Sequence, residues 1–387
     1  MSVVIFGDLF SFPEGSAATN RVHTYAKGFH ENGLSVHVIC FGNEYVPVLN
    51  GVTNGIYFYH PFGQKERAGY FIIRTWQKIC KYFNTIGLVR EINKKDKIIA
   101  INCWTQVFIT QVFAFVLARL NKAKLIMEIS EHPMRYYQGS FLNQFHGELK
   151  LYLEMKLCDG NFCISRHLVD YYKTKGFDPG KLFLVPSTVD PARFIEAGEK
   201  LFPHPYIGYF GGLTFFRDNI DLLVRAFSEI SKKHKEVYLV LGGFCSQKEK
   251  EQLKELISQL NIKDRVNLLG YLSRDEIISY VTHADILVMV RGNDLASQAS
   301  FPSKLTEFLA TSKPVISVNV GEISDYLTDN LNVFLVEPGN ISTLADKLEF
   351  VLNNYDNALK VGLRGRELTT TIFNYNFQAK RMIGFIS

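Results

Sequence analysis

Short apolar runs alternate with longer amphipathic segments along most of the chain. Runs such as SVVIF and KLIME are typical of buried parallel strands. After the first run, Val22, Tyr25, Ala26 and Phe29 stand at positions i, i+3, i+4 and i+7, which predicts an amphipathic helix. The same alternation continues to residue 187, so the pattern predicts a parallel sheet covered by helices.

The alternation stops at residues 188–205 and then begins again. The stretch TVDPARFIEAGEKLFPHP holds three of the twelve prolines of the chain, which is typical of a connection between domains. A second series of strands and helices follows, from YIGYF to NVFLV. We therefore predict an α/β protein of the GT-B type, with two doubly wound, Rossmann-like domains at 1–198 and 199–370 that face each other across a cleft. A C-terminal helix at 371–387 is expected to pack back onto the first domain.

Composition fits a folded protein of a reducing compartment. Of 387 residues, 47% are hydrophobic and 21% are charged, as in ordinary globular proteins. The six cysteines lie mostly in apolar runs without a C-x-x-C pair, so they resemble buried hydrophobic residues. The chain opens directly with a strand, and its longest apolar stretch, 107–120, is too short to span a bilayer. We expect a cytoplasmic protein in which 107–120 forms a buried helix.

Residues 72–97 combine a basic pattern with an apolar one. Seven Lys or Arg residues stand here against two acidic residues, and they repeat on a different side from the apolar positions. The apolar positions, three or four apart, are Ile72, Trp76, Ile79, Phe83, Ile86 and Val89. Such a helix either lies on the anionic inner face of a membrane or packs its apolar side into the core, and the sequence leaves both open. No nucleic-acid motif accompanies the charge, so nucleic acid is not an expected partner.

The segment FPSKLTEFLATSKPVIS, residues 301–317, carries the strongest chemical signal. Pro302 suits the first turn of a helix whose apolar stripe faces the core, which leaves Ser303, Lys304 and Glu307 on another side. Free amides at a helix start bind phosphate, and a carboxylate one turn later is placed to accept hydrogen bonds from a ribose diol. A plain surface pair of Lys304 and Glu307 is the alternative.

This segment resembles the donor site of the retaining GT-B glycosyltransferases of family 4, where a helix-borne Glu precedes a small-residue turn and PVI. Further stretches resemble the family in the same order: FPEGSAATNR, CISRHLVDYY, LFLVPSTVDPARF and YFGGLTFFRDN. The resemblance implies transfer, with retention, from a nucleoside-diphosphate sugar to a glycan or lipid-linked glycan acceptor. The cleft segments contain no Asp-x-Asp and no His/Cys cluster, so we expect no metal and no other cofactor.

The resemblance also assigns candidate residues. Gly212 stands where the family has an Arg, so Arg217 is the candidate for the diphosphate contact, and His132, after a strand, is the candidate contact to the sugar or the acceptor. Arg217 and His132 are therefore the predicted catalytic residues. The predicted donor-binding residues are Gly15, Ser16, Gly211, Gly212, Gly270, Tyr271, Ser303, Lys304 and Glu307.

Departures from the family keep other functions open. Ala299 stands where the family has a first glutamate, and Asp294 or Asn293 could replace that carboxylate only in a remodelled loop. One alternative is a non-catalytic member of a glycan-assembly complex, and another is a nucleotide-sugar epimerase on the same architecture. A dehydrogenase is disfavoured because the glycine fingerprint is missing.

Overall fold

The chain folds into two compact units. The computed structural model describes residues 1–15, 17–137, 139–195 and 198–387. The first unit comprises Met1–Thr188 and Tyr375–Ser387, and the second comprises Val189–Asn374. The second unit thus starts before the sequence-based boundary at 198/199, because a short 3-10 helix, Pro191–Phe194, packs against other helices of that unit.

Each unit contains one sheet. Within the described residues, the first sheet has eight strands in the order β3-β4-β2-β1-β5-β6-β7-β8, and the second has six in the order β11-β10-β9-β12-β13-β14. Their pairs are parallel apart from β3 with β4. The strands are β1 (Ser2–Gly7), β2 (Ser35–Cys40), β3 (Asn50–Thr53), β4 (Ile56–Tyr59), β5 (Ile98–Trp104), β6 (Lys124–Ile129), β7 (Gly160–Cys163), β8 (Leu182–Leu184), β9 (Tyr206–Phe210), β10 (Tyr238–Gly242), β11 (Val266–Gly270), β12 (Ile286–Met289), β13 (Val315–Val318) and β14 (Phe334–Val336).

Helices connect most successive strands in both units; β2, β3 and β4 follow one another without a helix between them. The helices are α1 (Ala17–Glu31), α2 (Phe71–Lys95), α3 (Phe108–Leu120), α4 (Phe141–Leu157), α5 (Arg166–Thr174), α6 (Ile220–Ile230), α7 (Gln247–Gln259), α8 (Arg274–His283), α9 (Leu295–Gln298), α10 (Ser303–Ala310), α11 (Ile323–Tyr326), α12 (Ile341–Asn353), α13 (Tyr355–Thr370) and α14 (Tyr375–Ile386). In the part of the chain that the structure describes, none of them is both long and apolar enough to cross a membrane.

The last helix of the chain, α14, belongs to the first unit, where it packs along α1. A Cβ at Gly28 of α1 would collide with Ala379 of α14, so this glycine allows the two helices to approach closely. Met382 and Ile386 of α14 are buried in the same apolar core as Val22 of α1. The core of the first unit therefore draws on both ends of the chain.

Two helices of the first unit differ from the sequence-based expectations. The helix at 107–120 was expected to be buried, but α3 buries only one side, and its Ile109 is 64% exposed. In α2 the apolar Ile72 and Trp76 are exposed, whereas Lys81 is buried. Packing of the whole apolar side of 72–97 into the core is therefore wrong for the first half of this helix.

The strand order of the second unit creates a position for a ligand. From β9 the chain first adds β10 and β11 on one side, and it later adds β12, β13 and β14 on the other. The connections therefore diverge at the carboxyl ends of β9 and β12. In open parallel sheets this topological switch point is where ligands bind.

Candidate functional site

Glycines occupy the carboxyl ends of three adjacent strands in the second unit. The N–H of Gly211, after β9, donates to the carbonyl oxygen of Gly242 at 2.8 Å, and the N–H of Gly243 donates to that of Gly270 at 2.7 Å. Gly243 has φ +141°, and a Cβ there would overlap the carbonyl oxygen of Gly211, so only glycine fits. Gly270, at φ +73°, likewise favours glycine. This edge of the sheet therefore presents bare backbone to a ligand.

Helix α10 brings a lysine to the same edge. The helix starts at Ser303, and its N-cap residue, Pro302, makes no side-chain capping bond. The Nζ atom of Lys304 lies so close to Gly211 that a Cβ on that glycine would collide with it. No described residue accepts a hydrogen bond from this Nζ. Burial lowers the pKa of Lys304, and the negative charges of Asp218 and Glu307 oppose this effect. The ammonium group therefore sits at the strand ends without an acceptor from the described protein atoms.

Two arginines add positive charge beside Lys304. The charges of Arg217, in the loop after β9, and of Arg291, two residues after β12, both act to lower the pKa of Lys304. Arg291 donates to the hydroxyls of Ser297 at 3.0 Å and Ser300 at 2.7 Å, which ties the loop before α10 to the end of β12. Sequence reasoning did not select Arg291, although a cation just after a buried parallel strand is a usable signal.

Glu307 lies one turn along α10 from Lys304. Its carboxylate is 4.0 Å from the guanidinium of Arg193, at the outer limit of an ion pair, and its side chain is 15% exposed. Burial raises the pKa of Glu307, and the charges of Arg193 and Lys304 oppose this effect. Arg193 belongs to the short helix at 191–194, which the sequence analysis treated as a linker, so no local signal identified it.

The predicted donor residues of the second unit all lie at this carboxyl edge. The carbonyl oxygen of Gly212 accepts a hydrogen bond from the buried Tyr209 hydroxyl at 2.9 Å. Tyr271, directly after β11, is 74% exposed. The residues that the structure gathers here are Gly211, Gly212, Arg217, Gly270, Tyr271, Ser303, Lys304 and Glu307.

The predicted residues of the first unit are His132 and the glycine loop after β1. His132 is 5% exposed; its Nδ1 accepts a hydrogen bond from the N–H of Met134 at 3.3 Å, and its ring packs 4.3 Å from that of Tyr171. Burial lowers the pKa of His132 to about 4, so the imidazole is neutral at physiological pH. A Cβ at Gly15 would collide with the hydroxyl of Thr19 in α1. Ser16 lies outside the described residues.

The position of the family's first glutamate holds no carboxylate. Ala299 is completely buried at the end of α9. Asp294 caps α9, since its Oδ1 accepts from the N–H of Ser297 at 2.7 Å, and the amide oxygen of Asn293 accepts from the side chain of Gln298. The structure thus uses both proposed substitutes to shape the α9 loop.

Solved structures with the same architecture define the class of this fold. Sucrose-phosphate synthase from Thermosynechococcus elongatus superposes with a TM-score of 0.75 at 16% sequence identity, over 99% of this chain and 98% of that one. The Anabaena protein HepE in complex with UDP and glucose superposes with a TM-score of 0.72 at 14% identity, over 99% of both chains. The two parallel-sheet units therefore form a GT-B fold, which confirms the predicted fold class.

Sequence comparison identifies the family of the second unit. Residues 197–368 match the family described as Glycosyl transferases group 1. A component of phosphatidylinositol N-acetylglucosaminyltransferase from Arabidopsis thaliana is 23% identical over 342 residues, which cover 87% of this chain and 71% of that protein. The matches to two further relatives span only 42% and 39% of their lengths. The glycosyltransferase resemblance is thereby confirmed at the level of the group 1 family.

Proposed function

We propose that the chain is a retaining glycosyltransferase of family 4 that transfers a hexose-type sugar from a nucleoside-diphosphate sugar to a glycan or lipid-linked glycan. The observation that carries the proposal is the ammonium group of Lys304, which lies beside Gly211 and has no hydrogen-bond acceptor among the described residues. An ammonium group that the described protein atoms leave without an acceptor keeps its hydrogen bonds for a ligand, so this position favours binding of an anion. The diphosphate of the donor is that anion.

Different residues around Lys304 bind the diphosphate, the ribose and the base of the donor. The first-turn amides of α10 and the side chain of Ser303 bind the diphosphate together with Lys304 and Arg217. Glu307 accepts hydrogen bonds from the ribose, and the backbone at Gly270 and Tyr271 contacts the base. The bare backbone at the strand ends supports this arrangement, since it lets a nucleotide approach closely.

The proposed chemistry needs no metal, because protein cations stabilise the leaving group. The bond between the anomeric carbon and the diphosphate breaks, and the acceptor oxygen forms a new bond on the same face of the sugar. The acceptor proton passes to a phosphate oxygen of the departing nucleotide. Lys304 and Arg217 stabilise the charge that develops there. Neutral His132, whose Nδ1 already accepts a bond, offers Nε2–H as a donor to the sugar or the acceptor.

The relatives support the substrate classes. HepE was solved with UDP and glucose, and the name of the Arabidopsis relative specifies a lipid acceptor, phosphatidylinositol. We therefore propose a role in polysaccharide or glycolipid biosynthesis at the cytoplasmic face of a membrane. Peripheral contact through residues 72–97 would bring the chain to a lipid-linked acceptor, and the exposed apolar side of α2 supports such contact.

The test is a thermal-shift screen against UDP-, GDP-, ADP- and dTDP-sugars. A donor that binds only the native state adds about 2.7 kcal/mol at a hundredfold excess over its dissociation constant, so the true donor should raise Tm clearly. The Lys304→Met variant should lose this response while keeping its own Tm. Absence of any response across the panel in the wild type would contradict the proposal.

The buried Ala299 favours one second candidate, a donor-binding protein without transferase activity. In that case a donor would raise Tm, yet no nucleoside diphosphate would be released from it. Release is to be measured with and without a membrane extract as the source of acceptor. Release that depends on the extract and disappears in Arg217→Ala would exclude this candidate.

A further inference from the structure

A groove of about 610 Å³ lies between α12 and α13, beside the edge strand β14 of the second unit. Asp346 and Phe350, one turn apart on α12, line one wall, and Asn357 of α13 lines the other. The volume falls within the range of about 300–1,000 Å³ that small-molecule sites occupy. None of the predicted donor or catalytic residues lines this groove, so it is a separate feature of the unit.

The floor of the groove is apolar, and one wall exposes an aromatic ring. Phe334 of β14 and Ala358 of α13 are buried, whereas Phe350 is 49% exposed. The ring centres of Phe334 and Phe350 lie 6.3 Å apart. Because Phe350 is half exposed in the groove, a ligand there can cover an apolar ring that the fold leaves to solvent.

Polar groups around the floor retain unused hydrogen-bonding capacity. The NH₂ of Asn354 donates to the carbonyl oxygen of Phe350 at 2.8 Å, which leaves its amide oxygen as an acceptor. The amide oxygen of Asn357 accepts from Lys360 at 3.2 Å, which leaves its NH₂ as a donor. The carboxylate of Asp346 forms no hydrogen bond or ion pair within the described chain. The groove thus offers both acceptors and a donor to a ligand.

The charge of the groove disfavours an anionic ligand. Lys347, the cation of the lining, donates to the two carboxylate oxygens of Asp329 at 3.3 and 3.2 Å. Asp329 therefore compensates the charge of Lys347, and Asp346 leaves the lining with a negative charge. A phosphate or a nucleotide needs cations or free N–H groups from the protein, so this groove is a poor site for either.

The edge of β14 is closed to an added peptide strand. The N–H of Leu335 donates to Oδ1 of Asp329 at 2.8 Å, and the carbonyl oxygen of Val333 accepts from the N–H of Asn330 at 2.8 Å. These contacts occupy main-chain groups that a peptide strand would need. Since strand addition depends on such groups, an extended peptide is not the expected ligand.

We propose that this groove binds a sugar ring of a neutral glycan. The C–H face of the ring packs on Phe350, and ring hydroxyls bond to Asp346 and the two asparagines. A hydroxyl both donates and accepts, so it satisfies the acceptors and the donor of the groove, which a plain apolar ligand would leave unpaired. The choice of a glycan rests on the proposed function, in which a glycan is the acceptor of the reaction.

The groove lies away from the proposed donor site within the same unit. β14 stands three places from β9 in the sheet, which corresponds to about 14 Å at the usual strand spacing. A long glycan that is held at a second point stays at high effective concentration, even between successive transfers. The groove is therefore expected to favour long glycans over single sugars.

Saturation-transfer NMR with defined glycans and without donor tests this proposal. The probes are chitohexaose, cellohexaose, maltohexaose and mannohexaose. At least one of them should receive saturation from the protein, most strongly at the C–H protons on one face of its rings. No transfer to any of the four would overturn the proposal. Because no donor is present, this failure is distinguishable from a failed donor screen, which would contradict only the proposed function.

A matched pair of double variants locates the binding. Asp346→Ala with Phe350→Ala removes both kinds of contact from the groove. Asp356→Ala with Phe377→Ala is the control outside it, since Phe377 is also 49% exposed. The first pair should weaken binding of the responding glycan about thirtyfold, as expected for a lost aromatic contact and a lost charge-assisted hydrogen bond. The control should change it less than about twofold, and equal binding by the two pairs would overturn the assignment.

Further outcomes identify other occupants or another site. Asp346→Asn keeps an acceptor oxygen without the charge, so glycan binding should fall only about threefold. Stabilisation by spermidine that disappears in this variant would assign the groove to an organic cation and overturn the proposal. A dimer in analytical ultracentrifugation that dissociates in Phe350→Ala would assign it to a second copy of the chain, with the same consequence. Loss of glycan binding in His132→Asn rather than in the groove variants would place the glycan in the first unit and also overturn it.

Discussion

Two cations, one in each unit, differ in whether protein atoms accept their hydrogen bonds. Arg21 of α1 is 4% exposed and donates to Glu128 at 2.9 Å and to the carbonyl oxygens of Pro186 and Val185 at 2.9 and 2.8 Å. Lys304 of α10 also lies among strand ends, but its ammonium has no acceptor within the described chain. Arg21 therefore holds α1 to the sheet, whereas Lys304 retains its hydrogen-bonding capacity for a ligand.

Arg21, the last residue of the stretch FPEGSAATNR, forms a buried ion pair with Glu128. The side chains of Arg21 and Lys304 differ less in chemistry than in their partners. A cation saturated by protein atoms contributes to the fold, and a cation left without protein acceptors is a candidate for binding.

The largest effect is expected from Arg21→Met, which should lower the free energy of unfolding. The substitution leaves Glu128 buried without its cation, which typically costs about 3–5 kcal/mol. Urea unfolding followed by tryptophan fluorescence measures the first unit, because Trp76 and Trp104 both belong to it. The double variant Arg21→Met with Glu128→Leu should recover part of the loss. A single variant within about 1 kcal/mol of wild type would show that the pair does not stabilise the fold.

Lys304→Met should weaken donor binding but not the stability of the fold. Removing a cation without an internal acceptor should leave the unfolding free energy nearly unchanged, whereas donor affinity should fall up to about a hundredfold, as for a lost charge-assisted hydrogen bond. Calorimetry with the donor found in the screen measures this loss. Lys250→Met, on the exposed side of α7, is the matched control and should bind normally. Unchanged affinity in Lys304→Met would remove this residue from the site.

The pH dependence of stability tests whether His132 is a buried neutral group. Its pKa is about 4 in the folded protein, against about 6.5 when unfolded, so between these values the unfolded chain binds more protons. The stability due to neutral His132 is complete above pH 6.5 and is lost as pH falls to 4, by about 2 kcal/mol at pH 5. His132→Asn should flatten this slope in urea unfolding at pH 5 and 7. An equally steep slope in the variant would assign the effect to other groups, of which His37, also with a lowered pKa of about 4, is the first candidate.

The smallest effect is expected from Glu307→Ala. Loss of one charge-assisted hydrogen bond to the ribose should raise the donor dissociation constant about tenfold. The effect is at the lower end of the range because Arg193 already compensates part of the charge of Glu307 in the wild type. Calorimetry checks this value, with Glu251→Ala on exposed α7 as the control. Unaffected donor binding in Glu307→Ala would remove Glu307 from the donor site.

Much of the fold could be predicted from sequence, because buried parallel strands and amphipathic helices have distinct periods. The α10 segment was predictable for the same reason, since Pro302 and the apolar stripe together define where the helix begins. The orientation of α2 was not predictable, because an apolar stripe has the same period whether it faces a core or a membrane. Arg193 was missed because its importance depends on a contact distant in sequence, with Glu307. Arg291 had a local signal, a cation just after a buried strand, that was not used.

The packing of α14 against α1 has a consequence for synthesis. The first unit is interrupted in the chain, and its last helix leaves the ribosome only after the whole of the second unit. Until then the groove around Gly28 and the apolar residues that Met382 and Ile386 cover lack their partner. The second unit, which is continuous, can finish folding first, so the later half of the polypeptide is expected to mature before the earlier half.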